Sequence, residues 1–462
     1  MKKQNVHTGE YLAFSELNLE IEERLGHTRC FVSGPHSFLK IFQHAITYAA
    51  NGWDQKLLIT RWHLSESMLL AREAIRSLRK GRHSSPEFRE ILIIDPGRSV
   101  TVEGAVRSIY FDRIVDFLGR EKVSIISTRE EGRSYSDYVR GELDPGLLFP
   151  DAKERGMLQT VRTVYHQAVA SKLFSAYELK HIGSCLLVFF STFRYWYQLL
   201  RAKGVKRCLF TSHYHNEGLI ASLSILQIHA GELQHGLIAG NDVYNVFPDI
   251  FKDAVHGAFF PDVIYVYGNY WKRLLEKGCE HESASIVVAG NYLLGSDPRP
   301  VNIQQKQNVI LVCAQKKMSL KYVEIAAYLN RVLASHSDWR VMIRLHPLED
   351  QPEVYMAMQN ERIAICPAEM TLTACLEIAR IQLSIYSTTF FDALGFDVVN
   401  FALPAEGYEA YVQEMVRENV AFTLSWNEDI IERFLATQAS PIIMPERSEV
   451  YATFDPGQLL LR

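Results

Sequence analysis

A basic excess is missing from this chain of 462 residues, in which 49 Lys and Arg stand against 53 Asp and Glu for a formal net charge of -4. With a pI near 6.5, a nucleic-acid partner, which calls for a basic surface, is not expected. Cysteine is sparse as well. Cys30, Cys185, Cys208, Cys279, Cys313, Cys366 and Cys375 are scattered, odd in number and without a CxxC pair. That excludes a disulfide framework or a zinc site and fits buried thiols in a reducing compartment. No apolar run approaches the roughly 18 residues that span a bilayer. The longest, Cys185 to Phe190, reads as the buried face of a helix. Two lysines open the N-terminus, MKKQNVHTGEYLAF, but no apolar stretch follows them, so a secretory signal is not expected. A cytoplasmic protein follows, at most in peripheral contact with the inner face of the membrane. Also missing are a Walker-type GxxxxGK[ST] and a convincing GxGxxG, which counts against an ATPase or a dehydrogenase.

What is present is ordinary globular composition, 48% hydrophobic and 22% charged, over a length that exceeds one core. Strands are expected at Arg29–Ser33, Lys56–Thr60, Ile91–Ile94 and Val123–Ser127, each a compact apolar run. Helices fall between them, at Phe38–Ala50, Ser65–Lys80 and from the Asp95-Pro96-Gly97 turn to about Gly119. The alternation lapses at about 150–204 in favour of two long helices, Asp151–Lys172 and Ala176–Lys203, read as core helices covering a sheet. It resumes with Cys208–Ser212, a helix through Gln227, Glu232–Gln234, Val263–Tyr267, a helix to about Lys277, and Ile286–Ala289. The polar, proline-containing stretch Asp297–Gln307 reads as a linker. Beyond it, strands are expected at Val309–Val312, Arg340–Arg344, Ile363–Ile365, Ile381–Ile385, Val398–Phe401 and Ala421–Leu424. The fold class is therefore α/β, with two doubly wound Rossmann-like domains facing a cleft, residues 1–296 and 308–462 joined by 297–307.

Chemistry-bearing residues cluster where strands end. Arg344-Leu345-His346-Pro347 closes a buried strand, and the residue before proline is biased away from helix. The arginine could pair with phosphate and His346 could donate to a phosphate or ribose oxygen. Tyr386-Ser387-Thr388-Thr389 places three hydroxyls at the start of an expected helix, Phe390–Gly395, where simple N-capping needs only one. Gln315-Lys316-Lys317 follows the first strand of the second domain and could screen a diphosphate. In the first domain the strand-end candidates are His213, His215, Glu217, Glu232, His235, Asp242 and His256. A carboxylate or imidazole within reach of an acceptor hydroxyl is what group transfer needs.

Glu232-Leu233-Gln234-His235-Gly236, a strand ending in His346-Pro347, and the Ser387-Thr388-Thr389 cluster together resemble the two-domain GT-B glycosyltransferases of bacterial surface polysaccharide synthesis. The likeness is greatest to those using CMP-activated acidic sugars, the sialyl- and Kdo-transferases; the CDP-glycerol transferases share a related arrangement. The resemblance implies a nucleotide-sugar donor, a glycan or lipid-linked acceptor, and neither cofactor nor divalent metal. It makes His346 and Pro347 contacts for the nucleotide and Ser387, Thr388 and Thr389 the phosphate-binding cluster; Gln315, Lys316, Arg344 and Tyr386 join the donor-binding set from their place at the strand ends. Glu217 or His235 would be the base of an inverting reaction; Glu217, Glu232 or Asp242 the nucleophile of a retaining one. The Asp/Glu-Asp/Glu-Gly motif that sialyltransferases use for their base is missing. A CDP-glycerol-type phosphotransferase, a sugar-nucleotide epimerase of the same fold and a non-catalytic polysaccharide-binding protein are the alternatives.

Overall fold

The structure, a computed structural model, describes residues 23–50 apart from 27, 88–127 apart from 103 and 104, 150–293 apart from 202, 215, 237, 239–246, 248, 256, 257 and 279–282, and 306–460 apart from 316, 317, 347, 348, 350, 368, 395, 404–408 and 440–444. The expected strand 56–60 and helix 65–80 lie outside these residues, as do His215, Asp242, His256, Lys316, Lys317, Pro347 and most of the expected linker. The chain divides into two compact units, Met1–Gly295 with Thr453–Arg462, and Ser296–Ala452.

In the first unit a short antiparallel pair, β1 (Val32–Ser33) and β2 (His36–Ser37), turns at Gly34 with φ +58. Only two residues of the expected strand 29–33 are therefore extended. Helix α1 (Leu39–Ala50) follows, then β3 (Ile91–Asp95), buried at every position. The stretch after β3 is not one helix. It forms the hairpin β4 (Ser99–Val102) and β5 (Ala105–Ser108) before α2 (Asp112–Leu118). Val100, Thr101, Val102 and Val106 explain the difference, since branching at Cβ restricts χ1 and suits extended chain. After β6 (Val123–Ser127) come α3 (Ala152–Ser171) and α4 (Ala176–Leu200), each opened by a capping box, Asp151 with Glu154 and Ser175 with Glu178. The aromatic face of α4 is core: Phe189, Phe193, Trp196 and Tyr197 are all buried.

Next come β7 (Arg207–Thr211), α5 (Glu217–Leu226), β8 (His229–Leu233), short helical turns over Asp249–Phe251 and Lys252–Val255, β9 (Val263–Val266), α6 (Asn269–Leu275) and β10 (Ser285–Val288). The sheet runs β10-β9-β8-β7-β3-β6 with every neighbouring pair parallel. From β3 the chain passes to β6 on one side and then to β7 on the other. The strand order thus reverses between β3 and β7, and a sheet of this kind binds ligands outside the carboxyl ends at that point.

The second unit repeats the scheme with β11 (Val309–Cys313), α7 (Ser319–Ser335), β12 (Arg340–Arg344), β13 (Ile363–Ile365), β14 (Ile381–Ser384), β15 (Val399–Ala402) and β16 (Phe422–Thr423). Its order is β13-β12-β11-β14-β15-β16, again parallel throughout, with the reversal between β11 and β14. Two parallel, doubly wound sheets establish the expected α/β class. The last residues do not stay with this unit. Asp455 N donates to Ala289 O at 2.8 Å, and the Leu459 carbonyl accepts from Arg207 Nη1. Gly290, at φ +83, lies so close to the Thr453 carbonyl that an added Cβ would overlap it.

Candidate functional site

Parallel pairing sets Phe210 opposite Glu232 and Thr211 opposite Leu233, so the chains leaving β7 and β8 emerge together. His213 and Glu232 meet there: Nδ1 and Oε2 lie 2.5 Å apart, with both side chains almost wholly buried. Burial alone would raise the Glu232 carboxyl, but the His213 imidazole, with His235 and Lys40, more than offsets it and holds the group below its ordinary range. The next turn is fixed by Gln234. Its side-chain oxygen accepts from Tyr267 N at 3.0 Å, its amide donates to Gly236 O at 2.9 Å, and its carbonyl accepts from the Tyr292 hydroxyl at 2.5 Å.

That turn presents His235. Its Nε2 is 2.9 Å from the Tyr214 hydroxyl, and Ser212 Oγ lies 3.1 Å from Nδ1. Ser212 has φ +62, a left-handed conformation that is uncommon for a non-glycine residue and gathers at functional sites. Burial, only partly opposed by Glu232, lowers the His235 pKa, so the ring is neutral at pH 7 and able to take a proton. His213, Glu232, Gln234, His235, Gly236 and Ile238 line a small concavity. Sequence reading found His235, Glu232 and His213 but missed Ser212 and Tyr214, whose roles depend on the turn after β7.

Glu217 is not a strand-end group facing this concavity. It is the first residue of α5 and buried, its Oε1 3.6 Å from His44 Nδ1 and 4.0 Å from Lys40 Nζ. Lys40 supports the site from behind: Nζ donates to the carbonyls of Phe259 at 2.9 Å and His213 at 3.3 Å, and lies 4.7 Å from the Phe260 ring centroid. Burial, partly opposed by Glu217 and Glu232, brings this lysine down to about 8.

On the β3 side, Asp95 Oδ1 accepts from Gly97 N at 2.8 Å and turns the chain outward to the exposed Arg98. Arg98 Nη1 donates to the Tyr110 hydroxyl at 3.0 Å, and that hydroxyl donates to the His235 carbonyl at 3.0 Å. The reversal point between β3 and β7 therefore carries a guanidinium that the sequence did not single out.

In the second unit the expected donor-binding groups sit along one sheet edge. Gln315 follows β11, Arg344 ends β12 and is followed by His346, and Tyr386 to Thr389 follow β14. Gln315 and the Tyr386–Thr389 segment thus flank the reversal between β11 and β14. Gln315 Oε1 is buried and has no hydrogen-bond partner among the described residues. Arg344 donates to the Met370 carbonyl and also hydrogen-bonds the Cys375 thiol, so part of its guanidinium is spent inside the unit. The helix after the hydroxyl cluster is one turn, Thr389–Asp392, not Phe390–Gly395. Arg447 Nη1 takes the carbonyls of Asp392 and Leu394 at 2.8 and 2.9 Å, which ends it. Thr388 makes no side-chain cap; Ser387 Oγ accepts from Thr389 N at 3.2 Å. A single turn has little dipole, so anion binding at this point would rest on hydroxyls and individual N–H groups.

No family model matches the sequence, and no curated protein matches it. Among solved structures, a UDP-GlcNAc 2-epimerase from Methanocaldococcus jannaschii is similar at 12% identity and TM-score 0.45, covering 80% of this chain and 98% of that one. CalG4, the calicheamicin glycosyltransferase, is 14% identical at TM-score 0.43, covering 76% and 91%. MurG of Acinetobacter baumannii is 12% identical at TM-score 0.40, covering 78% and 92%. Likeness of this degree assigns no chemistry, and the fold class rests on the strand orders. Among the described residues, no helix is long and apolar enough to cross a membrane.

Proposed function

We propose that the chain is a sugar-nucleotide enzyme, and within that class a metal-independent glycosyltransferase. It moves a sugar from a nucleotide-activated donor, with a CMP-linked acidic sugar favoured, to a glycan or lipid-linked acceptor. The observation that carries this reading is the second sheet's strand order, which sets Gln315 and Tyr386–Thr389 beside the reversal point, where such sheets take nucleotides. The unsatisfied Gln315 oxygen suits a ribose hydroxyl or a base amine.

The first unit supplies the base. Neutral His235 takes the acceptor hydroxyl's proton as that oxygen attacks the anomeric carbon, and the bond to the nucleotide phosphate breaks with its electron pair leaving on the phosphate. Tyr214, on Nε2, orients the ring. An inverting outcome is favoured because the two nucleophile candidates among the described residues are already committed, Glu232 to His213 and Glu217 beside Lys40 and His44. A thermal-shift series with CMP, CDP, UDP, GDP and dTDP tests the reading; if none raises the melting temperature, it is wrong. A C2 epimer from donor incubated without acceptor would replace transfer by epimerisation.

A further inference from the structure

Three arginines lie in the stretch between β3 and the end of α2, and they are not used alike. Arg107 is neutralised by two carboxylates, Asp112 and Asp116, each at 2.5 Å. Arg113 donates to the Asn291 carbonyl at 3.1 Å and lies over the Phe454 ring at 5.9 Å. Arg98 is exposed; its side chain makes one hydrogen bond among the described residues, to Tyr110, and no ion pair with them. Asp95, the nearest carboxylate in sequence, is buried and turned onto Gly97 N. The other carboxylate of this corner, Glu232, is taken by His213.

A guanidinium with no counter-charge among the described residues is not placed at random here. The Tyr110 hydroxyl holds it, and the same hydroxyl donates to the His235 carbonyl, so Arg98 is tied to the residue that presents the imidazole. Tyr110 is itself 3% exposed, which makes the tether rigid. Arg98 leaves β3 at the reversal point of the first sheet, and His235 leaves β8, the strand next to β7. We propose that Arg98, held by Tyr110 beside His235, binds an anionic group, a carboxylate or phosphate, on the substrate of the first unit. The inference deepens the proposed function, on which it rests: the acceptor is an acidic sugar or a phosphorylated one, since a planar guanidinium matches both anions with paired N–H donors.

Saturation-transfer NMR on the full chain with glucuronate, glucose 6-phosphate and glucose tests it. Glucuronate, glucose 6-phosphate or both should bind the wild type, the responding arm naming the anion, and glucose should bind more weakly. Arg98→Met should lose about tenfold or more in affinity for the anion, the loss expected when a charge-assisted pair is removed. Tyr110→Phe, which keeps the charge but removes the tether, should weaken it less. Circular dichroism and melting confirm that both variants fold. Anion affinity unchanged in Arg98→Met, glucose binding as well as its acidic analogues, or no binding by any of the three overturns the proposal. A nucleotide thermal shift in the same preparation keeps the two readings apart: its presence with no Arg98-dependent anion binding sinks this inference alone.

Discussion

His213 Nδ1 lies 2.5 Å from Glu232 Oε2, and both residues stand at the carboxyl ends of adjacent parallel strands with almost no exposure. A carboxylate so buried depends on the hydrogen bond that His213 gives it, and removing either partner leaves the other's polar atom unsatisfied in a low dielectric. Its placement also fixes the turn after β7 against the strand that leads into His235.

Glu232→Ala should cost about 1–3 kcal/mol of stability, the range for leaving a buried donor without its acceptor. Glu232→Gln should cost less, since the amide oxygen still accepts from His213. Urea denaturation at pH 7 reads both. The pH sign follows from the lowered carboxyl of Glu232. The folded state favours its ionised form, so its stabilisation is complete above the unfolded value of about 4.3 and is lost as pH falls through the lower, folded value. A wild-type chain whose stability relative to Glu232→Gln did not shrink on acidification below that point would contradict the assignment.

His235 as base gives a different pH limb. Its lowered pKa keeps the ring neutral to below the ordinary value of about 6.5, so transfer should hold steady from pH 8 to below that value and fall only on further acidification. His235→Gln should lower kcat by roughly 100-fold to 10,000-fold, the range for a general base, with nucleotide affinity unchanged. Tyr214→Phe should shift the limb and lower kcat more mildly, because it frees Nε2 without removing it. An unchanged kcat in His235→Gln would move the base elsewhere.

Most of the sheet was legible because buried parallel strands write themselves as unbroken apolar runs: Ile91–Asp95 and Val309–Cys313 are buried throughout. The hairpin at Ser99–Ser108 was not, since its short Val-rich arms fit either period until their partner is known. Glu217 was misplaced for a related reason. A carboxylate a few residues past a strand reads as facing the cleft, and only the packing of α1 against it reveals the buried Lys40 and His44. Arg98 left no local trace at all, because what marks it is a tether through Tyr110 to a carbonyl 125 residues further on.

The nucleotide reading makes a prediction at Gln315. Its side-chain oxygen is buried with no partner among the described residues, so Gln315→Leu should leave stability unchanged or slightly raised while weakening nucleotide binding. Ser387→Ala with Thr388→Ala should also weaken binding with the fold intact, although Ser387 will cost up to about 1 kcal/mol through its bond to Thr389 N. Isothermal titration with the nucleotide found by thermal shift reads the affinities. Equal affinity in both variants would remove this edge of the sheet from the donor site.

The tail offers the last test. Gly290 is in the left-handed region and faces the Thr453 carbonyl with no room for a Cβ. Tyr292, two residues on, packs edge to face on Phe454 and gives its hydroxyl to the Gln234 carbonyl. Gly290→Ala must therefore strain the backbone and push the tail away, at a cost of about 1–3 kcal/mol for the conformation alone. The displacement should reach the Gln234 turn through Tyr292. Melting temperature should fall, and the His235 ring, followed by its NMR titration, should change its apparent pKa as the turn that buries it loosens. Phe454→Leu, which keeps an apolar side chain and leaves the glycine alone, should produce the same direction at smaller size. A melting loss with the His235 titration untouched would confine the tail to stability and separate it from the site.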